Sequence, residues 1–163
     1  MKVNMKTINK NLVIVLASIL IFQSFISDNR TPNISPIEKS KIVRVAAGFG
    51  FRIHPIYKVN KFHYGIDLIA KEGTPIRATA DGVIEFAISD TTRYGNNIKI
   101  KHNSEYETFY AHLKDLKVIK SDKIKQGQVI GTVGNTGLSV TPHLHYEIIK
   151  NGKKVNPLDY FEL

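Results

Sequence analysis

Two hydrophobic patterns divide the chain. The first is one continuous apolar run, residues 12–22 (LVIVLASILIF), carried on through Gln23 and Ser24 to Phe25 and Ile26. The second starts near Ile42, where no stretch of ten or more residues keeps a helical apolar period. Short runs rich in Val, Ile, Phe, Tyr and Thr recur there, separated by Gly, Asn and Asp, the signature of antiparallel β structure. The pattern predicts strands over 82–88, 97–102, 107–112, 129–133 and 143–150, with little or no helix. Turn signals fall between them: Asp81-Gly82, Tyr94-Gly95-Asn96, Gly134-Asn135-Thr136-Gly137 and Asn151-Gly152. The last lies between Ile149 and Val155, and Asn-Gly supplies the positive φ angles of a two-residue hairpin. An all-β domain over 42–163 follows, preceded by an N-terminal hydrophobic helix.

Charge changes how the apolar run is read. Lys2, Lys6 and Lys10 precede it and no acid occurs in residues 1–26, the basic-then-apolar order of an export signal. Fifteen helical residues span only ~22 Å against a ~30 Å hydrocarbon core, which favours a removable signal peptide. The poor cleavage pattern around Ser24 to Ser27 leaves a retained membrane anchor open. In either case the positive-inside tendency places the rest outside the cytoplasm, in the periplasm or cell envelope. Residues 27–41 (SDNRTPNISPIEKSK) are polar, hold Pro32 and Pro36 and lack periodicity, so they read as a linker.

With 163 residues, 42% hydrophobic and 23% charged, the chain has material for one ordinary domain after the leader. Its formal charge of +9 suits an anionic surface such as a cell wall or phospholipid headgroups. The lysines are scattered among strand-like segments, with no basic helix and no stacking-aromatic motif, so no nucleic acid is expected as a partner. Cysteine is absent. Disulfides, thiolate nucleophiles and a lipoprotein anchor are thereby excluded, and His, Asp and Glu remain as the strong metal ligands.

Six histidines stand in the 42–163 region, and two clusters are informative. His143 and His145 are two apart in a β-patterned run, so both leave one face of the strand while Leu144 and Tyr146 leave the other. In His63-Tyr64-Gly65-Ile66-Asp67, alternate residues again share a face. A straight strand would put the His63 and Asp67 Cα atoms ~13 Å apart, so a bend or bulge is expected at Gly65, where the missing side chain leaves room for a metal. Together the clusters offer His63, Asp67 and one of the C-terminal pair. Three protein ligands with one open position is what a catalytic zinc site requires. The remaining member of the pair and His112 could then move protons, since imidazole titrates near neutral pH.

The segments FHYGIDL (62–68), GTPIRATADGVIEFA (73–87), YGNNIKIKH (94–102), TFYAHL (108–113), IKQGQVIGTVGNTG (124–137) and PHLHYEI (142–148) resemble the lysostaphin-type, or LytM-domain, zinc endopeptidases of bacterial cell walls. The likeness covers about residues 48–161. It implies an open, largely antiparallel sheet with a substrate groove, and one Zn²⁺ per chain held by His63, Asp67 and His145. It also implies His112 and His143 as catalytic residues and peptidoglycan as substrate, through D,D-endopeptidase cleavage of its peptide cross-links. GFGFRIHP (48–55) resembles a segment of members from walls with diaminopimelate, where Arg52 could contact a substrate carboxylate or form a structural ion pair. Tyr57 could supply an oxyanion-stabilising hydroxyl. His54 and His102 carry no arguable role. Some relatives have lost ligands and instead bind and activate cell-wall amidases; this sequence keeps all five positions. A lipoyl-like carrier or sugar-phosphotransfer domain would lack the His63 and Asp67 pair.

Overall fold

The computed structural model describes residues 29–53 and 58–163. The expected N-terminal helix, together with His54 and Tyr57, lies outside the described residues, among which no helix is long and apolar enough to cross a membrane.

The period-2 pattern resolves into strands β1 (Ile42–Ala47), β2 (Gly50–Ile53), β3 (Asn60–His63), β4 (Ile66–Ala70), β5 (Pro75–Arg77), β6 (Gly82–Ile88), β7 (Asn96–Lys101), β8 (Tyr106–Leu116), β9 (Lys123–Ile124), β10 (Val129–Val133), β11 (His143–Lys150) and β12 (Lys153–Val155). Two 3₁₀ turns, Lys39–Lys41 and Pro157–Asp159, are the only helical elements among the described residues. One large sheet runs β1-β4-β11-β8-β7-β6-β9, with β12 beside β11 and β10 bridging β8 to β5; β2 and β3 form a separate ribbon. Every pairing is antiparallel. The all-β, open antiparallel architecture expected from the sequence is thus the one observed.

Strand β11 is central, and its alternation divides the molecule. Leu144, Tyr146 and Ile148 enter the main core with Ile66, Leu68, Ile98, Ile100, Tyr110 and Leu113, all fully buried. Each side chain of this size removed from water contributes on the order of 1.5–3 kcal/mol, so this face holds the sheet together. The Tyr110 and Tyr146 hydroxyls sit in that apolar layer and both meet Thr79 Oγ1, at 3.1 and 2.8 Å, which removes the cost of burying them unpaired. The opposite face of β11 carries His143, His145 and Glu147. At its far end Asn151 (φ 49°) and Gly152 (φ 73°) make the expected two-residue hairpin, pairing Lys150 with Lys153.

The linker expected over 27–41 is, over its described part, packed onto the sheet. Ile37 is fully buried in the main core, Arg77 N–H donates to Pro36 O at 2.8 Å, and Asp81 N–H donates to Asn29 O at 2.6 Å. A polar, proline-bearing segment without periodicity can still pack when one apolar side chain finds a core slot and its backbone finds partners.

Candidate active site

Register builds the site. Asp67 on β4 pairs directly with His145 on β11, which in turn faces Ala111 on β8. His63, the last residue of β3, is brought to the same point because the chain turns from the ribbon into the large sheet between β3 and β4. The expected bend at Gly65 is therefore present. A Cβ on Gly65 would collide with the Tyr146 carbonyl oxygen and lie 2.9 Å from Glu147 Cγ, so glycine is needed for the turn to lie against β11.

Three atoms converge there. His145 Nδ1 lies 2.8 Å from Asp67 Oδ1 and 3.0 Å from His63 Nε2, and His63 Nε2 lies 3.2 Å from Asp67 Oδ1. All three residues are buried, and their donor atoms could hold a metal ion. A tetrahedral ion with ~2.0–2.1 Å bonds to N and O spaces its ligands ~3.3–3.4 Å apart, so the set needs to open by only a few tenths of an ångström.

The outward side of each ligand is fixed. His63 Nδ1–H donates to Gly48 O at 2.8 Å, His145 Nε2 lies 3.1 Å from Glu147 Oε1, and Arg52 Nη2 donates to Asp67 Oδ2 at 3.0 Å. Each partner leaves a different atom, His63 Nε2, His145 Nδ1 or Asp67 Oδ1, turned inward. Arg52 is accordingly engaged with the Asp67 carboxylate, the ion-pair arrangement of the two considered from sequence.

His143 and His112 stand beside the set. His143 pairs with Ile69, two residues past Asp67, and its Nδ1–H donates to Thr141 O at 2.8 Å, leaving Nε2 3.8 Å from Asp67 Oδ1. His112 lies in a bulge of β8: Tyr110 pairs with Ile98 and Leu113 with Asn96, so Ala111 and His112 oppose Asn97 alone. His112 adopts φ 63°, a left-handed backbone that costs a non-glycine residue about 1–3 kcal/mol. Its N–H to Tyr94 O at 2.9 Å and Nδ1–H to Thr136 O at 2.8 Å hold it there. The His112 and His143 ring centroids are 4.7 Å apart, and both Nε2 atoms remain unprotonated acceptors.

Burial and charge tune these groups in opposite directions. Burial pushes His112 down to about 4, reinforced by the neighbouring His143, and burial likewise lowers His143. Burial opposes ionisation of Asp67, but hydrogen bonds with His145 and His63 outweigh it and hold the carboxyl far below the usual carboxylate range. Burial would lower His145 too, yet Asp67 and Glu147 on its two sides raise it. Neutral imidazoles thus flank an anionic, ligand-ready centre. All five residues line a groove of about 480 Å³.

Of the residues singled out from sequence, His63, Asp67, His112, His143 and His145 come together, and Arg52 joins them through Asp67; Tyr57 lies outside the described residues. Glu147 was missed. Its position two residues after His145, on the strand face that carries both histidines, is the signal that would have found it. His102 sits elsewhere, bonded to Asp81 O and Thr108 Oγ1, both at 2.8 Å, as a satisfied structural histidine.

An open antiparallel sheet bearing this His, Asp, His set beside two neutral imidazoles defines the metallopeptidase class. The chain belongs to peptidase family M23, whose model matches residues 61–157. It is 46% identical over 122 residues to the DD-carboxypeptidase/endopeptidase Mpg of Neisseria meningitidis, covering 75% of this chain and 28% of that one. Its fold is similar to a zinc-containing peptidase from Vibrio cholerae (TM-score 0.70, 32% identity, 81% of this chain and 39% of that one). It is also similar to the catalytic domain of lysostaphin from Staphylococcus simulans (TM-score 0.65, 31% identity, 72% of this chain and 90% of that one). The chain spans about a quarter of the length of the curated relatives it matches.

Proposed function

We propose that this chain is a zinc metalloendopeptidase that hydrolyses peptide cross-links of peptidoglycan as a D,D-endopeptidase, carrying one Zn²⁺ on His63, Asp67 and His145. Residues 1–26 would export it, as a signal peptide or a retained membrane anchor, and residues 42–163 would form the peptidase domain. The observation that carries the reading is the convergence of His63 Nε2, Asp67 Oδ1 and His145 Nδ1 within 3.2 Å of one another at the floor of a groove. Two imidazoles and one carboxylate are the ligand types of catalytic zinc, and leave a coordination position for water. The similarity to two relatives from Vibrio cholerae named peptidoglycan DD-endopeptidases supports this substrate class.

His63, Asp67 and His145 would hold the zinc, which would supply Lewis-acid polarisation of the scissile carbonyl and a water activated near neutral pH. The chain's own residues supply the rest. His112 and His143 have their Nδ1–H groups tied to backbone carbonyls, so each offers a fixed Nε2 lone pair to the groove. One accepts a proton as the nucleophile attacks and returns it to the leaving amine; the other, once protonated, donates to the oxygen that gains charge. Arg52 orients Asp67 through its 3.0 Å contact, and the low proton affinity of His112 keeps it available as a base.

The test combines metal analysis of the purified chain with chromatography of peptidoglycan digests. One bound zinc and loss of cross-linked muropeptides are expected. His145→Ala should lose the metal, whereas His112→Ala should keep it and lose turnover by about 10²–10⁴-fold. A metal-free parent that leaves cross-links intact would overturn the proposal in favour of a non-catalytic module that binds and activates an amidase.

A further inference from the structure

The residue behind His145 is itself held from a strand that takes no part in the groove. Glu147 is 2% exposed, and besides the His145 Nε2–H it accepts from Lys154 Nζ, at 2.9 Å to Oε1 and 2.7 Å to Oε2. Lys154 is on β12, opposite Ile149, so it reaches Glu147 diagonally across the β11–β12 pair. Its ammonium also sits 5.0 Å over the ring of Tyr64, the residue that follows His63. One cation therefore touches the supports of two of the three converging residues.

The geometry gives that contact a chemical consequence. His145 lies between two carboxylates, Asp67 at 2.8 Å on its Nδ1 side and Glu147 at 3.1 Å on its Nε2 side. A neutral imidazole has one proton to give. If it goes to Asp67, Nδ1 is blocked and the inward-facing atom cannot bind a metal. If it goes to Glu147, Nδ1 presents a lone pair and Asp67 Oδ1 is free as well. Lys154, bonded to both Glu147 oxygens at 2.9 and 2.7 Å, holds Oε1 turned toward His145 Nε2, where it is placed to accept that proton. Removal of the lysine would leave a buried carboxylate with a single partner.

We propose that Lys154 and Glu147 are positioning residues that fix the tautomer of His145 through which the metal is bound, so that the β12 hairpin sets metal affinity from outside the groove. This rests on the zinc reading above. Lys154 does not line the groove, and Glu147 is almost wholly buried at its wall.

The experiment measures the zinc dissociation constant of the full chain by competition with a chromophoric chelator, beside urea unfolding of the metal-free protein and kcat and KM at saturating zinc. Glu147→Gln keeps the shape but loses the charge, and Lys154→Met keeps the stem and loses the ammonium. Both should weaken zinc binding by about 10–100-fold, while Lys154→Arg stays within about threefold of the parent. KM should not move in any of them. Lys154 is one-third exposed, so Lys154→Met should fold even if Glu147→Gln does not. Variants that lose stability but bind zinc within about threefold of the parent would make the pair purely structural and overturn the inference alone. A parent that binds no zinc would overturn the zinc reading and the inference with it.

Discussion

Gly65→Ala adds one methyl group at the point where the β3–β4 turn passes β11. The new Cβ would strike the Tyr146 carbonyl oxygen, with Glu147 Cγ 2.9 Å away and the Tyr146 carbonyl carbon 3.0 Å away. Carbon atoms sit comfortably at about 3.5–4.0 Å, so relief needs a displacement of up to roughly 1 Å. Two of the three obstacles are backbone atoms of the central strand, which cannot rotate away. Either β11 or the turn must shift, and the turn is flanked by His63 and Asp67. Overpacking of this size costs about 1–3 kcal/mol of stability. The effect on metal binding is larger in proportion, because ligand distances tolerate only about ±0.2 Å whereas the turn moves several times that. Urea unfolding of the metal-free protein should register the stability loss, and chelator competition should show zinc weakened by at least about tenfold. Stability within about 0.5 kcal/mol of the parent, with unchanged zinc affinity, would refute the claim that glycine is there for close backbone approach.

Two further outcomes follow from the same geometry. Ile37→Ala should cost about 2–5 kcal/mol in urea unfolding, because its side chain is fully buried in the main core; a cost near zero would return residues 29–41 to the status of a linker. Acidification should destabilise the metal-free protein from about pH 6.5 downward. His112, held at about 4, and His143, held below its ordinary value, bind fewer protons folded than unfolded in that window, so stability falls as pH drops through it. Asp67 extends the loss to lower pH, whereas His145, raised by its two carboxylates, contributes in the opposite sense and loses its contribution as pH rises. His112→Asn should flatten the dependence between about pH 6.5 and 4, and an unaltered slope would show that His112 is not the group responsible.

The sequence carried those parts of the fold whose signal is local. The runs over 82–88, 129–133 and 143–150 are strands β6, β10 and β11 to the residue, because each is bounded on one side by a glycine or asparagine turn: Gly82, Gly134 and Asn151. Strands β1, β2 and β3 were not among those expected, and of the others missed, β5 with three residues and β9 with two are too short for a period of two to declare itself. β4 escaped for a different reason. It is buried on both faces between β1 and β11, so its apolar run shows no alternation beyond Asp67.

The difference in placement between His143 and His145 lies wholly in the register. Both leave the same face of β11, and local pattern cannot separate them. What separates them is that residue 145 falls opposite Asp67 and residue 143 falls opposite Ile69, a choice made by the pairing of strands more than seventy positions apart in the chain. One residue of slip would bring Leu144 opposite Asp67 and turn both histidines into the core. The apolar alternation of Leu144, Tyr146 and Ile148 forbids that slip. The core face of the strand therefore determines which histidine on its other face meets the carboxylate, and the same residues that stabilise the sheet place His145 beside Asp67.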